Sequence, residues 1–282
     1  MIQILLWLLL VSPIEAQENF FTEPKYFESY DFALIPSHKL MFCRIHKVGT
    51  TPLNLLLAAM APTPYPDHPA WTVHEAADYN LTAVNISSII KDPTWVKAVF
   101  YREPLERFLS AYRSKCETVE DTTCDEVFLK QRPTFKDAVR RIVLQEDIGQ
   151  AEDSHFLPQA RTCYLRSTFP YFTETYMINP ATMRENLLKI FKTANVRINE
   201  EMKELLERFY TRTGVHDMGT HNTYSSKHST LRKYYNHDCY IRLIVHHYQE
   251  DYTLFKIPYP EWAKGAVERT TLEKCLEMIK RH

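Results

Sequence analysis

The stretch FCRIHKVGTTPLNLLLAAM, residues 42–60, opens as a short apolar run, passes through HKVGTT, and closes as an apolar helical pattern. Together with KLMFCRI over residues 39–45 it reads as a strand ending at Ile45, a tight loop, and a helix capped by Thr51 with Pro52 in its first turn. The unpaired backbone N–H groups of such a helix start converge on one point, and that point attracts anions, phosphate above all. Gly49 lets the backbone curl close to a ligand, the hydroxyls of Thr50 and Thr51 can donate to phosphate oxygens, and Lys47 adds a mobile positive charge. An ordinary strand-to-helix turn uses the same residue types. The full GxxxxGK[ST] spacing is absent, which disfavours a magnesium-dependent ATPase or a kinase.

A second unit of the same kind follows. WVKAVFYR, residues 95–102, is another short apolar run, and PLERFLSAYRSKC, residues 104–116, carries Leu105, Phe108, Leu109 and Tyr112 at helical spacing behind Pro104. The same spacing puts Arg107, Ser110 and Arg113 on the face away from the apolar stripe. From residue 97 to 115 there are five Lys or Arg against two Glu, in a chain whose formal net charge is only −1. Anion recognition therefore has to come from local clusters such as this one, and no global attraction to nucleic acid is expected. A solvated helix face has a similar composition. Two consecutive units of this type suit a ligand with phosphate at both ends.

Outward from these units, the chain keeps alternating strand and helix signals, the grammar of an α/β protein with a parallel sheet. PTFKDAVRRIVL starts on Thr134, TMRENLLKIF carries the capping pair Thr182 and Glu185, and NEEMKELLERFY starts on Asn199. PYFTETYMI, residues 170–178, reads as a strand, and residues 238–255 as one long helix with Ile241, Val245, Tyr248 and Tyr252 inward. At 282 residues and 45% hydrophobic the chain can bury a large core, and no linker divides residues 17–282, which are expected to form a single domain.

Residues 1–16 hold a ten-residue apolar run too short to span a bilayer comfortably, and read as a cleaved signal peptide or a short membrane anchor. Both readings send the remainder into the secretory lumen. NLT at Asn80 and NIS at Asn85 are glycosylation acceptors, and six cysteines in an oxidising lumen allow 15 disulfide connectivities. Cys116 and Cys124 are close enough in sequence for a local bridge, with Cys163 a competing partner for either. No CxxC spacing occurs, so a structural zinc site is not expected. Half of the twelve histidines fall between His216 and His247, among Lys227, Arg232, Lys233 and Arg242. They suit a basic surface for an acidic glycan, or loop contacts to a nucleotide from THNT at 220–223.

HKVGTT resembles the 5′-phosphosulfate loop of sulfotransferases, a Pro-Lys followed by Ser/Val/Ala, Gly/Cys, Thr and Thr/Asn. REPLERFLSAYRSK, residues 102–115, resembles their 3′-phosphate motif, Arg-Asp-Pro followed by Arg and Ser-Ala-Tyr. HFLPQARTCY (155–164) and the segment from YYNHDCY to PEW (234–262) resemble the Golgi carbohydrate sulfotransferases of the chondroitin 4-O type, especially their divergent invertebrate members. The resemblance runs in order over roughly residues 39–262. His46 stands where the family has Pro, and Glu103 where it usually has Asp.

The resemblance implies a P-loop-like three-layer α/β fold with a central parallel sheet, PAPS (3′-phosphoadenosine 5′-phosphosulfate) as donor, no metal, and a glycan acceptor in the Golgi or elsewhere in the secretory lumen. It implies that Lys47, Gly49, Thr50 and Thr51 hold the 5′-phosphosulfate and that Arg102 and Ser110 hold the 3′-phosphate. An acceptor hydroxyl needs a base, and histidine is the usual choice near neutral pH. His74 precedes the second strand, where several branches keep their catalytic His, and His155 opens HFLPQ; either can equally be a structural histidine. A secreted relative that binds a glycan or nucleotide without turnover is the second reading.

Overall fold

The computed structural model describes residues 31–60, 83–117, 122–129, 132–146, 148–149, 153–210 and 228–280. The N-terminal segment of residues 1–16, His74, Asn80 and THNT at 220–223 lie outside the described residues. Four strands form one sheet in the order β1 (Phe32–Ile35), β2 (Leu40–Cys43), β3 (Val96–Tyr101) and β4 (Glu174–Met177). β2 and β3 are parallel, pairing Leu40 with Val96 and Cys43 with Val99; β3 and β4 are parallel, pairing Ala98 with Glu174 and Tyr101 with Met177. β2 is buried along its whole length and β3 over Lys97–Phe100, as expected of strands covered on both faces. The one cation there, Lys97, turns its Nζ to the carbonyls of Asp92 and Trp95 at 2.6 and 3.0 Å.

The sheet is mixed rather than wholly parallel. β1, a strand that the sequence pattern does not mark, pairs antiparallel with β2, Phe32 opposite Cys43 and Ile35 opposite Leu40. The link between them is a single 3₁₀ turn, Pro36–His38, closed by Lys39 at φ +47°. So short a link can join only antiparallel neighbours, because a parallel pair needs a crossover of a dozen residues or more.

Helix α1 (Thr50–Ala58) follows β2, α2 (Ala83–Lys91) precedes β3, and α3 (Pro104–Tyr112) follows β3 directly. The acceptor Asn85 falls in the first turn of α2. α4 (Thr123–Val127) and α5 (Phe135–Leu144) come next, then α6 (Leu165–Thr168), α7 (Met183–Thr193), α8 (Glu200–Phe209) and α9 (His228–Tyr234). The expected caps hold at α5, where Thr134 Oγ1 accepts from Asp137 N at 3.2 Å, and at α8, where Asn199 Oδ1 accepts from Met202 N at 2.8 Å. The Thr182–Glu185 capping box does not form. Thr182 has helical backbone angles, φ −115° and ψ −7°, and Asn179 turns the chain instead, accepting from Ala181 N.

The single helix expected over residues 238–255 is two, α10 (Asp238–His247) and α11 (Gln249–Leu254), broken at Tyr248. Its inward set of Ile241, Val245, Tyr248 and Tyr252 is buried as expected. The break has a tertiary cause. Tyr248 donates its hydroxyl to Phe156 O at 2.6 Å, and the turn brings Asp251, fully buried, to the backbone N–H groups of Gln159 and Ala160 at 3.0 and 2.8 Å.

α12 (Glu261–Arg269) and α13 (Leu272–Lys280) close the chain against α10. All six cysteines pair, Cys116 with Cys124, Cys43 with Cys163, and Cys239 with Cys275. The local bridge is the expected one, while Cys163 ties the end of β2 to the segment after HFLPQ. Cys239–Cys275 clips α13 onto α10 across a separation of 36 residues. Breaking that bridge with Cys275→Ser should lower stability by about 4 kcal/mol on the chain-entropy model. A denaturant titration of the variant checks this, and non-reducing peptide mapping should return the three pairs above.

Candidate functional site

The loop after β2 carries two left-handed residues, Lys47 at φ +68° and Gly49 at φ +79°. A Cβ at Gly49 would meet nothing closer than Ile178 Cδ1 at 3.9 Å, so it is the backbone conformation, not space, that favours glycine there. Gly49 is the residue before α1, in the cap position assigned to Thr51 from sequence, and Thr50 is already helical. The shift follows from Thr50, whose hydroxyl donates to Ile45 O at 2.9 Å and folds the helix start back onto the end of the strand. That proton is therefore directed into the protein rather than toward a ligand. What remains at the helix end is backbone N–H: the first intrahelical bond runs from Leu53 N to Gly49 O, and the N–H groups of Thr50 and Thr51 precede it. Thr51 is exposed.

The second unit abuts the first. Arg102, buried at the end of β3, donates Nη1 to Lys47 O at 3.4 Å and pairs with Glu106 at 3.4 Å. Its backbone is gripped from both sides by Gln159, whose Oε1 accepts from Arg102 N and whose Nε2 donates to Arg102 O, each at 2.9 Å. Nε2 of Gln159 also reaches Asp251 Oδ2 at 3.1 Å. Glu103 caps α3 by accepting from Glu106 N at 2.8 Å, and its other oxygen accepts from the Tyr252 hydroxyl. Burial pushes the Glu103 carboxyl up to about 7, against the hydrogen bonds from Tyr252 and from the backbone of Glu106 and Leu105 that hold it down.

Arg107 and Ser110 are not on a solvated face: both are buried, Arg107 completely. Arg107 donates Nε to His46 O at 3.0 Å, Nη1 to Leu157 O at 2.8 Å and Nη2 to Ser154 O at 2.9 Å. One guanidinium thus joins the loop after β2 to the segment containing HFLPQ. Across that joint the rings of His46 and His155 meet, 4.4 Å between centroids and inclined at 58°. His155 Nδ1 lies 3.0 Å from Asp153 Oδ1, which also accepts from His155 N at 2.9 Å. Burial lowers both imidazoles, His46 strongly; for His155 the Asp153 carboxylate works in the opposite direction.

Lys47, Gly49, Thr50, Arg102 and His155 are therefore brought to one region by direct contact or through Arg107, and Ser110 sits on the same helix as Arg107 one turn on. His74 lies outside the described residues. Sequence reasoning missed His46, Gln159, Asp251 and Tyr252 as parts of the site, and placed Arg107 outward. The DSHFLPQ and YQEDY stretches carry the polar residues concerned, but no local pattern says that they meet. His237, in the histidine-rich segment, is a cap of α10, accepting at Nδ1 from Cys239 N at 3.1 Å. Among the described residues no group of three His, Cys, Asp or Glu side chains is arranged to hold a metal ion.

The model of the Sulfotransferase family matches residues 30–260, from β1 through the whole of this site. The chain belongs to that family. Comparison with curated proteins and with solved structures returned no match. Membership supports sulfonyl transfer in general as the chemistry of the fold.

Two outcomes test this wiring. Arg107→Met keeps apolar volume but strands three buried carbonyls, and should cost about 3–5 kcal/mol, read from denaturant unfolding. Glu103 has its folded value raised above the ordinary 4.5, so it favours the folded state fully below that value and loses this contribution as pH rises through about 7. Wild-type protein should therefore lose up to about 3 kcal/mol between pH 5 and pH 8 that Glu103→Gln does not lose. Parallel melts of the two proteins across that range decide it.

Proposed function

We propose that the chain is a lumenal carbohydrate O-sulfotransferase that uses PAPS and acts on a hydroxyl of a glycosaminoglycan, of the chondroitin type, on a three-layer α/β scaffold. The observation that carries this reading is the contact of Arg102 Nη1 with Lys47 O, which brings the two phosphate-type motifs together across 55 residues of sequence. The donor set fits a doubly phosphorylated ligand: a helix start with free leading N–H groups and a nearby Lys at one end, Arg102 and Ser110 at the other. When bound, PAPS would supply the activated sulfonyl group. Gly49, Thr50 and Thr51 would hold the 5′-phosphosulfate by backbone N–H, with Lys47 as a compact positive charge where the leaving phosphate gathers negative charge. Arg102 and Ser110 would hold the 3′-phosphate.

Of the two candidate bases, we assign His155. Its Nδ1 is held by Asp153, which leaves Nε2 as the proton acceptor for the acceptor hydroxyl, and burial keeps the ring neutral near pH 7. His74 is the alternative, and His74→Ala belongs in the same assay. The three disulfides and the apolar N-terminal run support passage through the secretory lumen, and the family resemblance supports the Golgi, with or without membrane attachment.

Lys47→Ala should lower kcat by roughly 10²–10³ while nucleotide affinity falls far less, since its charge acts mainly in the transition state. Lys47→Arg should rescue poorly. Calorimetry should also show 3′,5′-bisphosphorylated adenosine binding about tenfold or more above 5′-AMP, because Arg102 adds a charge-assisted bond of ~1.5–3 kcal/mol. Equal affinities would remove Arg102 and Ser110 from the 3′-phosphate site. Nucleotide binding with no sulfonation across a panel of desulfated glycosaminoglycans would favour a binding protein without turnover.

A further inference from the structure

We propose that His46 is a positioning residue for His155, its ring packed against the His155 ring so that the loop which takes the donor also sets the tautomer and proton affinity of the base. The proposal rests on the reading of His155 as the base and extends it to a residue with no assigned role. Three observations carry it. The two rings are in contact at 4.4 Å although they are more than a hundred residues apart in sequence. Their backbones are fixed by one rigid plane, since Arg107 binds His46 O through Nε and Ser154 O, next to His155, through Nη2. Asp153 holds the Nδ1 edge of His155 at 3.0 Å, so the ring is restrained by two different groups, Asp153 and His46.

Among the described residues, these are the charged groups that act on the two rings. His155 feels Asp153 within its own segment, Lys115 from the turn of π-helix after α3, and Lys47 from the loop after β2. His46 feels His155, Arg107, Arg44 and Lys115. Asp153 is the one group among these that favours a protonated His155; burial and the surrounding cations oppose it. Removing the His46 ring therefore lets water reach His155 and shifts the balance toward Asp153. A positioned imidazole of this kind also retains a single tautomer, because the Nδ1–H is directed at Asp153 and the ring cannot turn over.

The test is an NMR titration of ¹³C,¹⁵N-labelled histidines in the full lumenal protein, with the His155 signal assigned by its loss in His155→Gln. In His46→Ala the His155 midpoint should move up toward the ordinary imidazole value of 6.5, and its ¹⁵N shifts should report both tautomers. In His46→Phe, which keeps an aromatic ring without nitrogens, midpoint and tautomer should stay as in the wild type. If the alanine variant does not fold, His46→Gln gives the same reading. An unchanged midpoint and tautomer in the truncated variant, or an equal rise in His46→Phe, overturns the proposal. In the enzyme the acid limb of kcat/KM should move up with the His155 midpoint in His46→Ala and stay in place in His46→Phe. Full turnover by His155→Gln would remove the base assignment while leaving the titration result standing, so the two failures are distinguishable.

Discussion

The guanidinium of Arg107 is completely buried and donates three hydrogen bonds, to the carbonyls of His46, Ser154 and Leu157. Taking such a cation out of water is costly, and burial lowers its proton affinity; the fields of Tyr248, Asp251 and Asp153 act the other way. The arrangement holds because a planar fork can satisfy several carbonyls at once in fixed directions. With it in place, the loop after β2 and the HFLPQ segment become one rigid unit. Without it, the two segments that carry His46 and His155 would lose the side chain that joins them.

A second buried network repeats the device one step away. Asp251 holds Gln159 and Ala160, Gln159 holds the backbone of Arg102, and Arg102 meets the carbonyl of Lys47. Each member is satisfied by another, which is the condition under which a buried polar network rigidifies a core instead of weakening it. The break between α10 and α11 serves this network, because a continuous helix would not bring Asp251 to two backbone N–H groups while Tyr248 bonds Phe156. Glu103, longer by one methylene than the usual Asp, caps α3 and still reaches Tyr252. The region proposed to take the donor is thus braced by polar groups that are themselves buried and hold one another in place.

Much of this was legible because the relevant signals are local. β2 and β3 stand out as short, largely apolar runs, and α5 and α8 begin on residues whose side chains cap the third residue on. The turn at Gly49 is readable for the same reason: a glycine between a strand and a helix start supplies the left-handed backbone that the turn needs. β1 carries a weak sequence signal because FALI is only four residues long and its partner is decided by a three-residue turn. Thr182 misled because its backbone turns helical under Asn179, leaving its hydroxyl out of position to cap.

Sequence by itself determined the two strand–loop–helix units, their order, the cysteine supply and the charge cluster near Arg102, since these depend on neighbours within a few residues. Tertiary structure decided the mixed sense of the sheet, the partner of Cys163, the inward turn of Arg107 and the meeting of His46 with His155. The physical reason is distance along the chain. Arg107 finds its acceptors 61, 50 and 47 residues away, and Asp251 acts on Gln159 from 92 residues away. A charged residue on an amphipathic helix looks solvated from its periodicity, and only the carbonyls brought to it by the rest of the fold make its burial favourable.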